Sequence, residues 1–141
     1  MTIDSLNVRE WIRFAQNDYD SAVVLSERFR PPIETVCFLC QQAAEKVLKA
    51  YTIAKTNTRK QTHVLEDLLG GCVQLSPDFD CLRGSCTKLT PYIALSRYPS
   101  DIEITDYDMK QALNNAGKIL EFTKSKLQEL GFVPETEPPQ N

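Results

Sequence analysis

Gln42, Glu45, Lys46 and Lys49 follow one another at three- and four-residue intervals. On an α-helix that spacing places them along one ridge. Two ammonium groups, one carboxylate and one amide so arranged suit a phosphate-bearing ligand. His63, Arg97 and Tyr98 lie further along the chain and extend the same chemistry. Lysine and arginine hold phosphate oxygens, arginine at two points. A tyrosine ring stacks on a base, and the Gln42 amide reads a base edge. Glu45 then orients Lys46 or His63 and takes no part in bond making. Asp18 falls among apolar positions, where an unpaired acid is costly, so it needs a partner such as Arg97 or Lys46.

A plainer reading of the same residues stands beside this one. The ridge is a solvated helix face, with Glu45 and Lys49 a surface pair worth roughly 0.2–0.5 kcal/mol. His63 caps the third helix, and Arg97 pairs with Glu45 or Asp101.

The ridge sits on residues 33–55, a stretch with neither glycine nor proline. Pro31 and Pro32 end what precedes it, and proline suits a first helical turn. Apolar residues at Ile33, Val36, Cys37, Cys40, Ala44, Val47, Leu48 and Tyr51 form one face. Phe38, Leu39, Ala43 and Ala50 widen it. A helix apolar around most of its girth is buried on several sides.

The other elements follow in order. A helix over about 7–29 buries Trp11, Phe14, Ala15, Ala22, Leu25 and Phe29. A polar loop, 56–62, leads to His63 and a short helix over about 64–73. Ser76-Pro77-Asp78 opens a fourth helix, with Phe79, Leu82, Cys86, Leu89 and Ile93 inward, until Pro91 kinks or ends it. Residues 94–104 read as irregular. Thr105 to Asp108 is a capping box with aspartate in place of glutamate. Met109, Leu113, Ala116, Leu120, Leu127 and Leu130 line the last helix, Gly131 caps it and Pro134 confirms the stop. The expected fold is all-α: an antiparallel up-and-down bundle of four long helices plus one short helix. Its expected extent is 7–131, with a loose N-terminus over 1–6 and a disordered tail over 132–141.

At 141 residues one domain is expected. No apolar run approaches the roughly 18 residues of a membrane span, and no secretory signal is visible. The chain therefore reads as cytoplasmic, with no membrane contact. Cys37-x-x-Cys40 lies inside a helix, not after a strand, so redox chemistry of the thioredoxin type does not fit. With one histidine and no second C-x-x-C, zinc lacks ligands. Most of the five cysteines read as small buried hydrophobes, and no cofactor is expected. The net charge of −3 disfavours binding nucleic acid by bulk charge. Locally, residues 45–60 hold five bases and one acid, and residues 101–108 hold four acids and no base.

Four pieces together resemble a HEPN domain, the helical family named for nucleotide binding in higher eukaryotes and prokaryotes. They are Ala15-Gln-Asn-Asp18 with Ala22, Gln41-Gln-Ala-Ala-Glu-Lys-Val-Leu-Lys-Ala50, Thr62-His63 with Leu65, Leu68 and Leu69, and Arg97-Tyr98-Pro99. The resemblance covers roughly residues 8–130. It implies a five-helix bundle, commonly a homodimer, that binds nucleotide or RNA. It also implies a small nucleotidyltransferase partner, the two often forming a toxin–antitoxin pair. RNA-cleaving members carry an arginine and then, after four to six residues, a histidine. Here those places after Arg97 hold Ile102, Glu103 and Ile104, and His63 lies upstream. The resemblance therefore favours a binding or regulatory module. A nuclease of unusual motif and a ligand-free dimerisation unit remain the alternatives.

Overall fold

The computed structural model describes residues 7–133. The loose segment expected over 1–6 and the tail from Pro134 onward lie outside them. Every regular element among the described residues is helical: α1 (Val8–Ser26), α2 (Ile33–Thr56), α3 (Leu65–Leu75), a 3₁₀ segment (Pro77–Leu82), α4 (Arg83–Leu89), α5 (Tyr92–Leu95) and α6 (Asp106–Glu129).

Helix α2 is the axis of the bundle, packed by α1, α3, α5 and α6. Small residues let the neighbours come close. Ala15 and Ala22 of α1 and Ala43, Ala44 and Ala50 of α2 have no solvent exposure. Close approach recurs between α1 and α6, where a Cβ on Gly117 would lie 2.8 Å from the Tyr19 hydroxyl. Without that Cβ, Tyr19 donates to the carbonyl of Leu113 at 3.4 Å. Deeper in, Phe79 meets Tyr51 at 4.6 Å and Phe122 edge-on at 5.1 Å between ring centres. Offset and edge-to-face contacts of this kind suit the ring quadrupole.

Helix ends follow local chemistry. Asn7 accepts from the N–H of Glu10 at 3.1 Å and starts α1. Thr105 and Asp108 close the expected capping box at the start of α6. Gly131, at φ +94, ends α6. There the Phe132 N–H reaches the Leu127 carbonyl and the Gly131 N–H reaches that of Gln128, a Schellman pair. Phe132 packs back onto the core, so the ordered bundle runs past the 131 boundary read from the sequence.

Two expectations change. The fourth long helix is a 3₁₀ segment running into a two-turn helix. Its inward residues Phe79 and Leu82 stand three apart, the 3₁₀ period. Helix α1 stops at Ser26, and Arg30 at φ +54 turns the chain toward Pro31. Phe29 thus falls beyond the helix and is 87% exposed. Phe14, also expected inward, is 48% exposed, with Arg13 and Lys46 lying over its ring.

All five cysteines are free; Cys37, Cys40, Cys72 and Cys86 are buried and Cys81 is exposed. Burial pushes the Cys37, Cys72 and Cys86 thiols up to about 12, and raises that of Cys40 further. Folding therefore favours the protonated thiol. That contribution is complete below the ordinary value of 9.0 and is lost as pH rises toward about 12. An aromatic disulfide reagent at pH 8 is expected to titrate one thiol in the native protein, abolished by Cys81→Ser, and five after unfolding. Rapid release of more than one from the folded chain would contradict the packing.

Candidate functional site

The ridge on α2 forms as the spacing requires, but its burial is greater than that of a solvated face. Glu45 is 4% exposed and Lys49 6%. The Glu45 carboxylate accepts from Lys49 Nζ at 3.0 Å. Both its oxygens also lie 3.1 Å from His63 Nδ1. A carboxylate only accepts, so Nδ1 carries the proton. His63 Nε2 is thereby left on the outward side of a ring whose side chain is 71% exposed. A buried acid is held between one buried cation and one exposed imidazole. Uncompensated, such an acid would cost several kcal/mol.

Gln41 completes this node, although the sequence reading gives it no role of its own. It is fully buried. Its amide donates to Glu45 Oε1 at 3.3 Å and to the His63 carbonyl at 3.2 Å. Its own carbonyl accepts from Gln42 Nε2 at 2.7 Å. Gln41 thus ties the 57–64 loop to α2 beside Glu45. The available signal is its place four residues before Glu45 in an otherwise apolar stretch, where a buried amide needs partners.

Lys46 pairs with Asp18 across α1 and α2 at 2.5 Å, with side chains 22% and 19% exposed. That is one of the two partners expected for Asp18. Lys46 also lies 5.9 Å from the centre of Phe14. Lys49 and Arg59 both lie over Trp11, at 5.8 and 5.9 Å, contacts that favour a cation on an aromatic face. The Lys46 and Lys49 ammonium groups thus each face a carboxylate, Lys46 partly exposed and Lys49 buried.

Arg97 neither pairs with Glu45 nor with Asp101. Its guanidinium lies 5.0 Å from the centre of Phe38 on α2. Nor does His63 cap α3; the N-cap is Val64, and the Thr62 hydroxyl accepts its N–H at 3.1 Å. Phe38 and Glu45 are seven residues apart, almost two full turns, so they share a face about 10 Å apart along the axis. His63 and Arg97 therefore flank one face of α2, with Gln42 between their levels. Thr90, at the end of α4, accepts from the Leu65 N–H at 3.3 Å and donates to Glu66 at 3.0 Å. It thus joins the start of α3 to the end of α4. Arg97 and Tyr98 open onto a cavity of about 340 Å³ with Glu34, Ser96 and Ser100. Tyr98 is 69% exposed, open to stacking.

With this geometry in place, comparison with known proteins is informative. A family model of the HEPN domain matches residues 8–127. The crystal structure of TT1696 from Thermus thermophilus superposes with a TM-score of 0.72 at 27% identity, covering 84% of this chain and 97% of that one. ST0689, an archaeal HEPN homologue, gives 0.68 at 26% identity, covering 85% and 97%. No curated protein matches.

Glu45→Ala leaves Lys49 buried without its carboxylate and is expected to cost roughly 3–5 kcal/mol in urea unfolding. His63→Ala removes one hydrogen bond to Glu45 at a place that water can reach and is expected to cost less, about 1 kcal/mol. Equal losses in the two variants would contradict the hierarchy described here.

Proposed function

The chain belongs to the HEPN domain family, and on that premise we propose that it is a nucleotide-binding regulatory module. The observation that carries the reading is His63, an exposed imidazole fixed through Nδ1 by buried Glu45. It flanks the same face of α2 as Arg97, which Tyr98 follows in the chain. A ligand with an extended phosphate or ribose-phosphate part contacts His63 at one end and Arg97 at the other. Tyr98 offers a ring to the base and Gln42 its remaining amide oxygen. Lys46, Lys49, Asp18 and Glu45 hold the face in shape and do not touch the ligand. The ligand class is a nucleotide or a short RNA.

The module acts as a homodimer beside a small nucleotidyltransferase, in a toxin–antitoxin arrangement. The support is the family resemblance, together with the basic Lys55, Arg59 and Lys60 and the acidic segment 101–108, which give a partner two electrostatic handles. The reading places the protein in the cytoplasm. No helix among the described residues is long and apolar enough to cross a membrane.

A second reading, RNA cleavage, has one observation in its favour. A histidine oriented by a carboxylate is the arrangement of a general acid–base. Against it, no histidine follows Arg97.

Thermal melting with a panel of nucleoside mono-, di- and triphosphates and a short RNA tests the binding reading. At one hundred times Kd, a bound ligand adds about 2.7 kcal/mol, a shift of several degrees. The shift is expected in wild type, smaller in Arg97→Ala and in His63→Ala, and weaker at high salt. No shift with any member of the panel would remove the reading. Incubation with labelled RNA separates the second one: cleavage lost in His63→Ala would establish it, and cleavage equal in both proteins, or none, would dismiss it.

A further inference from the structure

Helix α1 has a second face, turned away from the ridge. Trp11, Phe14 and Asp18 meet the cations of α2 and its loop. Arg9, Ile12 and Gln16 lie on the opposite side, by the 100° step of the helix. There they and the end of α6 enclose a groove of about 270 Å³. That is just under the roughly 300–1,000 Å³ of ligand pockets, room for a small, flat molecule only.

Its floor is apolar, made by Ile12, Phe132 and Val133 over the fully buried Leu127. Besides the Arg13–Glu10 pair, its rim carries two cations with little compensation. Among the described residues no carboxylate lies within ion-pair distance of Arg9; its guanidinium sits 5.5 Å from the Phe132 ring centre. Lys124 donates to the neutral amide oxygen of Gln16 at 2.7 Å. Its acidic neighbour Glu121 stands at 3.8 Å with a side chain 75% exposed, a distance and exposure at which the attraction is slight. Arg13, by contrast, is engaged by Glu10 at 2.7 Å. The chain is acidic overall, at −3, so cations left over an apolar floor are a local departure. A floor of this kind removes ring or alkyl surface from water, and the cations at its edge complement an acidic head group.

We propose that the groove between α1 and the end of α6 binds a small amphipathic anion, with a flat apolar body on Ile12, Phe132 and Val133 and a carboxylate, sulfonate or phosphate head between Arg9 and Lys124. This site is separate from the face that carries His63 and Arg97 and does not depend on its function.

The probe is 8-anilinonaphthalene-1-sulfonate, titrated onto the folded protein and followed by fluorescence and by amide chemical shifts. One molecule per chain is expected, with shifts concentrated at Ile12, Gln16 and Gln128. Affinity is expected to fall at least tenfold in Arg9→Glu, at an exposed position, and in Lys124→Glu, with circular dichroism showing that the fold survives loss of the Gln16 bond. N-phenyl-1-naphthylamine, which lacks the sulfonate, is expected to bind at least tenfold more weakly than the charged probe. His63→Ala is expected to bind the sulfonate as wild type does, which keeps this result apart from that of the nucleotide panel. Equal affinity for the two probes, no effect of either charge reversal, or shifts centred elsewhere would overturn the proposal. Failure of the probe to bind the folded protein would overturn it as well.

Discussion

The buried carboxylate of Glu45 constrains much of what surrounds it. A charge removed from water inside a helix bundle persists only where opposite charge and hydrogen bonds replace the lost solvation. Lys49 supplies the first from one helical turn away. Gln41 and His63 supply the second. Because His63 stands on a loop and not on α2, satisfying Glu45 also fixes where that loop lies. The same bonds that make the acid tolerable therefore set the outward direction of the one imidazole in the chain. Stability and the candidate chemistry are joined at a single side chain.

The rest of the architecture serves to bring separate segments to that helix. Alanines on α1 and α2 shorten the distance between axes, which lets Asp18 reach Lys46 and lets Trp11 lie beneath Lys49 and Arg59. Phe38, one turn before Gln42, gives Arg97 an aromatic platform in place of a carboxylate. An arginine over a ring keeps its hydrogen-bond donors for another partner, whereas one clamped by an acid does not. Charge is thus sorted by burial. The lysines close to the core are matched by acids, and His63 and Arg97, nearer the solvent, retain the capacity to meet a ligand.

Much of this is written in the periodicity of the chain. The 33–55 stretch announces a buried helix because its apolar residues exceed one stripe, and Asp18 announces a partner because it interrupts one. Gly131 and the Thr105–Asp108 box mark the ends of α6 by local chemistry alone. Other features lack a local signature. Whether Glu45 and Lys49 are wet or buried depends on which elements cover them, and a three-and-four spacing is the same in both cases. The 3₁₀ segment begins with the Ser-Pro-Asp signature of an ordinary helix, and only tertiary packing of Phe79 against Tyr51 and Phe122 distinguishes it. The groove beside α6 joins Gln16 to Lys124, more than a hundred positions apart, a pairing that no window along the chain contains. HEPN family membership was legible because four short pieces occur together, each ambiguous alone.

Long-range nitrogen–proton spectroscopy of the His63 ring tests the arrangement at its centre. The structure requires a proton on Nδ1 held in a hydrogen bond to Glu45, visible as a downfield ring resonance that disappears in Glu45→Ala while the fold's other resonances persist in stabilising buffer. A neutral ring with its proton on Nε2 and a bare Nδ1, unchanged by loss of Glu45, would mean that the carboxylate does not hold the histidine and that the site as described does not exist.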